Sequence, residues 1–421
     1  MELEAIGKRP RASSGSSSLA SDRLSSLPDC LIHHIMSFLK ARQVVQTCVL
    51  STRWRHLWRS VPCLDIDQEE FKTAGPNHDT KKEWHDFEDF TDHLLIPNNI
   101  CIALLDTFRL QLSGTHTYPY YDKKKQAARW IRRGIKYGRQ DPGIQHKELN
   151  STPWRLKRLH LSNVYLDDRF MEHINSGCQY LEELELKDCE CTFHEITSHT
   201  LKKLILKNCR CSGLSAVTSP MLKRLVIDDC QNESNCQLVI MAPAVAYLLL
   251  SVGVWTFSGG VLLNGMPSLA KALIYLRDNN EYESKFGDDQ FKLLDSVSNV
   301  TSLYLSDFKA MVISEEFPEF LNLRTLLLEK CDLSDNFQML GYFLQHSPNL
   351  VNLTLHYCKF SKKKKGKAKS RKGCLNQFNV RCKNLRHTKI IYKDDDVQKL
   401  VELLLSISGD LPKNNIKLTK V

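Results

Sequence analysis

The sequence predicts an α/β protein in which a small helical head precedes a long solenoid of strand repeats. Three short helical patterns follow one another within residues 27–61, and the pattern L-x-x-L-x-L returns along the chain from residue 156 to residue 355. A chain of 421 residues that is 42% hydrophobic can also bury a large core. In such a solenoid the repeat strands form a parallel sheet on the concave face, and the array is curved.

The helix predicted over residues 27–39 has more apolar surface than one buried face requires. Asp29, His33 and Ser37 lie four residues apart and form one narrow polar stripe, while apolar side chains cover most of the remainder. Two further helices are predicted over residues 41–50 and 51–61. A unit this small cannot bury such surfaces by itself, so the surplus should face the rest of the chain or another protein.

The repeats have the length and pattern of leucine-rich repeats. Most copies are 20 to 27 residues apart, and in each the alternate apolar residues of a short strand should point inward. Weaker copies lie at residues 269–276, 108–112 and 385–392. The strong copies begin at Leu156, Leu181, Leu201, Leu222, Val245, Val300, Leu323 and Leu350.

Residues 238–270 contain no charged side chain and invite comparison with a membrane span. Pro243, Gly253, Gly259, Gly260 and Pro267 interrupt this run, and the repeat pattern continues through it. We therefore predict repeat strands here and no membrane partner.

The formal net charge of +10 comes mostly from one short run. Residues 361–372 hold eight Lys and Arg side chains and no acidic one, which leaves 10 − 8 = +2 for the rest of the chain. That balance does not predict a nucleic-acid-binding surface. The run should form an exposed loop, either a flexible insertion or a nuclear-import signal aided by residues 8–11, so the expected location is the nucleus, the cytoplasm or both.

Fifteen cysteines without a recognisable secretory leader indicate free thiols in a reducing compartment. Cys189, Cys209, Cys230, Cys331 and Cys358 each follow the last apolar residue of a strand by three positions, where a small side chain packs beneath the turn. Cys191 and Cys211 occupy the next inward column. A four-thiolate zinc site is the alternative, but the column accounts for all of these residues, so we expect no metal and no other cofactor.

Residues 22–67 resemble the plant F-box. This run opens with LPD, continues with a helix similar to ILSFL, closes with VLS, RWR and LW, and ends in VP and LD. It departs from the family in having Lys-Ala-Arg-Gln at 40–43 and Thr52. The resemblance implies binding to a Skp-type adaptor of a cullin-RING ubiquitin ligase, through a surface built or presented by Leu27, Pro28, Leu31, Ile35, Leu39, Leu50 and Trp54.

With the repeats included, the chain resembles plant F-box/leucine-rich-repeat proteins. The resemblance implies a helix over 127–138, followed here by an irregular loop in place of the family's strand, and a helix over 393–408 that caps the last repeat. The predicted organisation is a disordered tail (1–21), the F-box (22–67), the solenoid (68–395, with the lysine-rich loop at 361–373) and the C-terminal cap (396–421).

The implied function is that of a non-catalytic subunit that binds a client protein on the concave face of the repeats. The sequence has no P-loop, dinucleotide fingerprint or zincin helix. The alternative is a non-ligase scaffold or small-molecule receptor that uses the same face. The residues predicted to contact a client are Lys157, Arg158, His160, Lys202, Lys203, Lys223, Arg224, Tyr304, Arg324 and His356, within a mixed-charge face that also includes Glu182, Glu183 and Glu185.

Overall fold

The structure is a computed structural model of the chain. The predicted tail (1–21), the lysine-rich loop and the predicted irregular loop at 139–149 lie outside the described residues. The structure describes residues 24–420 except 25, 74, 76–78, 97–99, 101–103, 115–125, 134–154, 254–256, 258, 277–286, 309–316, 335–336, 361–381, 394–397, 399, 402–403 and 405–413.

Thirteen strands of the described residues form one parallel sheet, in which the order of strands follows the order of the chain. The strands predicted from residue 108 to residue 392 are all present, and one strand is added at each end of the sheet. The strands are Cys63–Asp67, Thr107–Gln111, Arg158–Ser162, Glu183–Lys187, Lys203–Lys207, Arg224–Asp228, Tyr247–Val252, Lys271–Leu276, Ser302–Ser306, Thr325–Glu329, Asn352–His356, His387–Tyr392 and Asn415–Lys420.

The inward leucines of neighbouring strands lie in register. Leu159 pairs with Leu184, Leu184 with Leu204, and Leu204 with Leu225, and all four side chains are fully buried. Burial of each such side chain contributes about 1.5–3 kcal/mol before the cost of ordering the chain. The core is therefore a continuous leucine stack, as the repeat pattern predicts.

A column of buried cysteines follows the strands. The Sγ of Cys209 donates to the carbonyl of Leu186 in the preceding repeat at 3.4 Å, and the Sγ of Cys358 donates to that of Leu328 at the same distance. The residue before each of the cysteines Cys189, Cys209, Cys230, Cys331 and Cys358 has a positive φ between 50° and 55°. The corresponding turn at Asp307, which precedes Phe308, has a φ of 62°. Asn or Asp occupies most of these left-handed positions, as their short polar side chains favour. These five buried cysteines therefore pack beneath the turn, as the repeat pattern predicts.

The other faces of the solenoid change along its length. Between residues 165 and 264, two four-stranded parallel sheets lie beside the main one. The uncharged run belongs to this part, since it forms the strands Leu238–Met241, Tyr247–Val252 and Val261–Asn264. None of the helices in the described part of the chain has the length and apolar character needed to cross a membrane.

Helices replace these short strands elsewhere. Near the N-terminal end, the helix Thr80–Leu94 and the helix at 126–133 pack together around Phe87 and Trp130. The rings of these two residues lie edge to face at 5.4 Å. Asp92 accepts a hydrogen bond from the Trp130 indole at 2.9 Å, which fixes the pair. The helices that are continuous in the described residues outside the head are α4 (Thr80–Leu94), α5 (126–133), α6 (Arg169–Gly177), α7 (Gly287–Ser296) and α8 (Gln338–His346).

The head contains α1 (Asp29–Met36), α2 (Ala41–Gln46) and α3 (Trp54–Leu57), and a 3₁₀ turn follows each of the last two. Its core consists of Ile32, Met36, Val44, Trp54 and Val61. The strand Cys63–Asp67 directly follows the head and is the first strand of the large sheet. The sheet therefore begins before residue 68, and the last residues of the F-box pattern belong to the solenoid.

The C-terminal end of the sheet is a strand that the sequence analysis did not predict, and it lies within the predicted cap over 396–421. Residues 398, 400, 401 and 404 are helical, and Leu400 and Leu404 are buried against the core. After them, Asn415–Lys420 pairs in parallel with His387–Tyr392 and forms the edge. Lys417 and Lys420 lie on this edge strand, and lysine at an edge discourages pairing with other sheets.

Candidate binding surfaces

Two residues of the polar stripe, Asp29 and His33, contact the last part of the head. The imidazole Nε2 of His33 lies 3.2 Å from the carbonyl of Leu57 and 3.1 Å from the hydroxyl of Ser60, and the carboxylate of Asp29 pairs with Arg53. Because the stripe is used within the head, one apolar side of α1 (Ile32 and Met36) is buried and the other faces solvent. The second apolar face predicted from the sequence is thereby exposed.

Five large apolar side chains of the head are exposed, three from α1 and the residues just after it and two from the turn after α2, and we call this set the head patch. Phe38 is 76% exposed and Val49 is 83% exposed, values far above those of ordinary apolar side chains in a folded domain. Five apolar side chains this exposed within one small unit indicate an interaction site. The head patch consists of Leu31, Ile35, Phe38, Val49 and Leu50.

The seven residues that the resemblance assigns to adaptor binding divide into two groups. Pro28, Leu31, Ile35 and Leu50 are exposed and can touch a partner directly. Leu27 and Leu39 pack partly against the head core, and Trp54, only 3% exposed, lies within it. Trp54 therefore shapes the surface from beneath and does not present it. The prediction omitted Phe38 and Val49, although Phe38 belongs to the apolar run of the first helix.

A group of charges joins the head to the solenoid. The Nζ of Lys40, at the start of α2, lies 3.2 Å from the Asp65 carboxylate and 3.0 Å from that of Asp67, both on the first strand of the sheet. Burial lowers the pKa of Lys40, but the hydrogen bond and charge of Asp67 and those of Asp65 outweigh it and raise the pKa above its ordinary value. Arg42 adds a cation–π contact, its guanidinium 4.6 Å from the centre of the Phe71 ring. Lys40 is one of the departures from the F-box pattern, and here it anchors the head.

Replacing this lysine should loosen the junction. We expect Lys40→Ala to lower the free energy of unfolding by about 1–2 kcal/mol, because two largely buried aspartates lose a cation that is itself only partly exposed. Thermal unfolding followed by circular dichroism measures the effect. The matched control is Lys82→Ala on an exposed position of α4, which should change the melting temperature little. Equal melting temperatures for the two variants would refute the anchoring role.

The charge series continues into the next strands, on the sheet face opposite the leucine stack. Arg109 lies 3.5 Å from Asp65 and donates from Nε to His160 Nδ1 at 3.3 Å, and His160 Nε2 lies 3.1 Å from Glu183. Burial lowers the pKa of His160 despite the nearby Glu183 and Glu185. Burial raises the pKa of Glu183, but the hydrogen bond that Lys203 donates at 2.7 Å, together with the charges of Lys203 and His160, outweighs burial and holds the pKa below its ordinary range. The charged side chains of the first strands therefore neutralise one another.

His160, Glu183 and Glu185 offer ligand atoms within 4.8 Å of one another, a spacing compatible with a metal ion. The cations Arg109 and Lys203 already contact two members of this cluster. A divalent ion would meet their repulsion, so the cluster acts as an ion-pair network rather than as a metal centre.

The residues predicted to contact a client lie on the strands of the thirteen-stranded sheet or directly before them, and they differ in exposure and in pairing. Lys202 pairs with Glu182 at 2.8 Å, and the hydrogen bond from Lys202 lowers the pKa of that carboxyl. His356 pairs with Glu329 at 3.2 Å. Of the remaining predicted contacts, Lys157, Lys223 and Arg324 are exposed. Arg158 donates to Thr107 Oγ1 at 3.0 Å. Arg224 lies over the Tyr247 ring, and the half-buried Tyr304 packs on Tyr275.

A small cleft in the described part of the chain lies between α5 and the segment around Tyr165 and Phe170. It encloses about 280 Å³, including space open to solvent. None of the residues that line it belongs to the thirteen-stranded sheet. The cleft therefore gives no support to a small-molecule pocket beneath a client on the concave face.

Comparison with known proteins supports both parts of the fold. Residues 24–65 match the F-box domain, and residues 147–254 match the family model "FBD-associated F-box protein At5g56370, LRR repeats". The chain is similar to the rice protein "MEIOTIC F-BOX protein MOF", with 30% identity over 93% of this chain and 84% of the relative. It is also similar to the Arabidopsis thaliana "Putative F-box/FBD/LRR-repeat protein At5g44950", with 25% identity over 80% of this chain and 79% of the relative. The chain belongs to the plant F-box/leucine-rich-repeat protein family.

Proposed function

We propose that this chain is the substrate-recognition subunit of an SCF-type ubiquitin ligase. In this role the head binds a Skp-type adaptor of a cullin-RING assembly, and the concave face of the solenoid binds a client protein. The observation that carries the proposal is the head patch, because a unit so small does not leave five large apolar side chains in water without a partner.

The proposed contribution to catalysis is geometric. Ubiquitin transfer needs the client held near the charged conjugating enzyme, and tethering raises its effective concentration without any catalytic group on this chain. A rigid attachment of the head to the solenoid favours this role, since a loosely attached head would lower the effective concentration of the client near the conjugating enzyme. The Lys40 contacts to Asp65 and Asp67 and the direct passage of the head into the first strand provide that attachment.

Reconstitution tests the proposal. The full-length chain is co-expressed with a plant Skp-type adaptor, purified, and added to a cullin-RING module with ubiquitin, its activating enzyme and a conjugating enzyme. We expect a stable complex with the adaptor and adaptor-dependent ubiquitination of proteins that the chain captures from plant extract. Failure of the chain to bind any of a panel of plant adaptors would overturn the proposal. Adaptor binding without ubiquitination of captured proteins would instead favour the non-ligase scaffold.

A further inference from the structure

The middle of the concave face carries a row of apolar side chains, which we call the apolar strip. The residues come from six consecutive strands and lie side by side in the register of the sheet, at alternate positions to the buried leucines. Neighbouring parallel strands are about 4.8 Å apart, so the row is about 24 Å long, the span of about seven residues of extended chain. The strip consists of Ile205, Val226, Leu249, Leu273, Tyr304 and Leu327.

The fold does not require apolar side chains at these positions. In the same row, the strands before the strip carry His160 and Glu185, and those after it carry Thr354 and Lys389. Ile205 and Val226 are largely covered by their neighbours, but the other four side chains of the strip remain partly in solvent. Apolar surface that the core does not need, bounded by polar positions on both sides, is the pattern of a binding site.

Tyrosines widen the strip at its centre. The rings of Tyr275 and Tyr304 lie 5.0 Å apart, and Tyr247 lies beneath the Arg224 guanidinium at 4.0 Å. Tyrosine offers large contact area with little conformational freedom to lose, and it is frequent among the residues that dominate interfaces.

Cations line the edge of the strip where the strands begin. Lys223, Arg224, Lys271 and Arg324 make no ion pair with any carboxylate in the part of the chain that the structure describes. Lys202 and Lys203 differ, since Glu182 and Glu183 neutralise them. We call these four residues the cationic edge. The apolar strip is therefore bordered on one side by positive charge.

We propose that the apolar strip and the cationic edge bind an extended acidic segment of a partner protein, in which a large apolar side chain is flanked by Asp or Glu. Charge complementarity selects this occupant, because carboxylates meet the cationic edge while the apolar side chain packs on Leu273 and Tyr304. A second copy of the chain would bring the same cations together, and the lysine-rich run at 361–372 has the wrong sign. The proposal rests on the proposed function in that this segment belongs to the client.

The test uses the full-length chain bound to its adaptor and an array of random nonapeptides, each with one position fixed. We expect enrichment of Phe, Leu or Tyr at one position and of Asp or Glu around it, and loss of binding as salt rises. A fluorescent peptide with the selected sequence then provides dissociation constants by anisotropy. Enrichment of Lys and Arg, or of no residue, would overturn the proposal.

Matched substitutions locate the site. Leu273→Asn and Lys271→Glu should each weaken binding of the selected peptide about ten-fold or more, as loss of a central interface residue does. Thr354→Asn and Lys389→Glu place the same side chains in the row outside the strip and should leave the dissociation constant within about two-fold. Equal losses in both sets, or in neither, contradict the assignment.

Adaptor binding measured on the same samples separates this inference from the proposed function. Loss of peptide selection while the head still binds the adaptor refutes the acidic-segment site alone. Retention of peptide selection by a chain that binds no adaptor refutes the ligase role and leaves the peptide site standing. Circular dichroism melts of each variant show whether a loss of binding comes from unfolding.

Discussion

The double variant Phe38→Asp with Val49→Asp is expected to weaken binding of a Skp-type adaptor strongly while the chain stays folded. Both side chains lie almost entirely in solvent, so the folded protein loses little packing when they become charged. In the complex, the same two carboxylates would be buried against an apolar partner without compensation. We expect the dissociation constant to rise about 100-fold or more, equivalent to about 2.7 kcal/mol or more.

Isothermal titration calorimetry with purified adaptor measures this change. The matched control is Leu321→Asp, which puts the same charge on an exposed leucine far along the solenoid and should leave adaptor binding unchanged. Trp54→Ala makes a second comparison, because that side chain lies in the head core and its loss should lower the melting temperature as well as the affinity. If Leu321→Asp weakened binding as much as the double variant, the head patch would not be the adaptor site.

The second large effect is expected from Gly259→Ala in the uncharged run. A Cβ atom at residue 259 would lie 2.4 Å from the backbone carbonyl of Cys236 and 2.5 Å from that of Asn235. Backbone atoms of the preceding repeat cannot yield as the tip of a side chain can, so the two repeats must separate. Overpacking with backbone displacement costs about 1–3 kcal/mol or more, and each repeat depends on contacts with its neighbours for stability.

Chemical denaturation followed by fluorescence or circular dichroism measures the loss. Gly265→Asn is the matched control. Residue 265 has a φ of 58°, which asparagine tolerates, and no atom of the described residues lies within 4 Å of a Cβ there. We expect Gly259→Ala to lower the denaturation midpoint clearly and Gly265→Asn to change it little. Similar midpoints for Gly259→Ala and the wild type would show that the contact between the repeats relaxes without cost.

Most strands of the sheet could be predicted because their signal is local. In each copy from Leu156 to Leu350, the inward positions recur within six residues, and the spacing between copies identifies the repeat. The two added strands escaped prediction for different reasons. Cys63–Asp67 lies within the F-box pattern and was therefore not considered as a repeat strand. Asn415–Lys420 is a short edge strand, and its two apolar residues, Ile416 and Leu418, are too few to identify a strand by themselves.

The adaptor surface was predicted in kind but not residue by residue. Periodicity showed that the first helix has too much apolar surface, but it could not tell which side would be buried. The contacts of Asp29 with Arg53 and of His33 with Leu57 and Ser60 decide that orientation. They join residues more than twenty positions apart, so no local pattern contains them.

The sequence by itself determined that the chain is a helical head on a leucine-rich solenoid, because hydrophobic periodicity within a few residues selects each element. Only the tertiary structure decided which side chains meet on the sheet face opposite the leucine stack. In segments such as 245–250 nearly every residue is apolar, so the pattern does not show which of these residues lie in the core and which lie in the apolar strip. The parallel register brings Leu249, Leu273 and Tyr304 into one row from three different repeats, since strands stack about 4.8 Å apart whatever their separation along the chain.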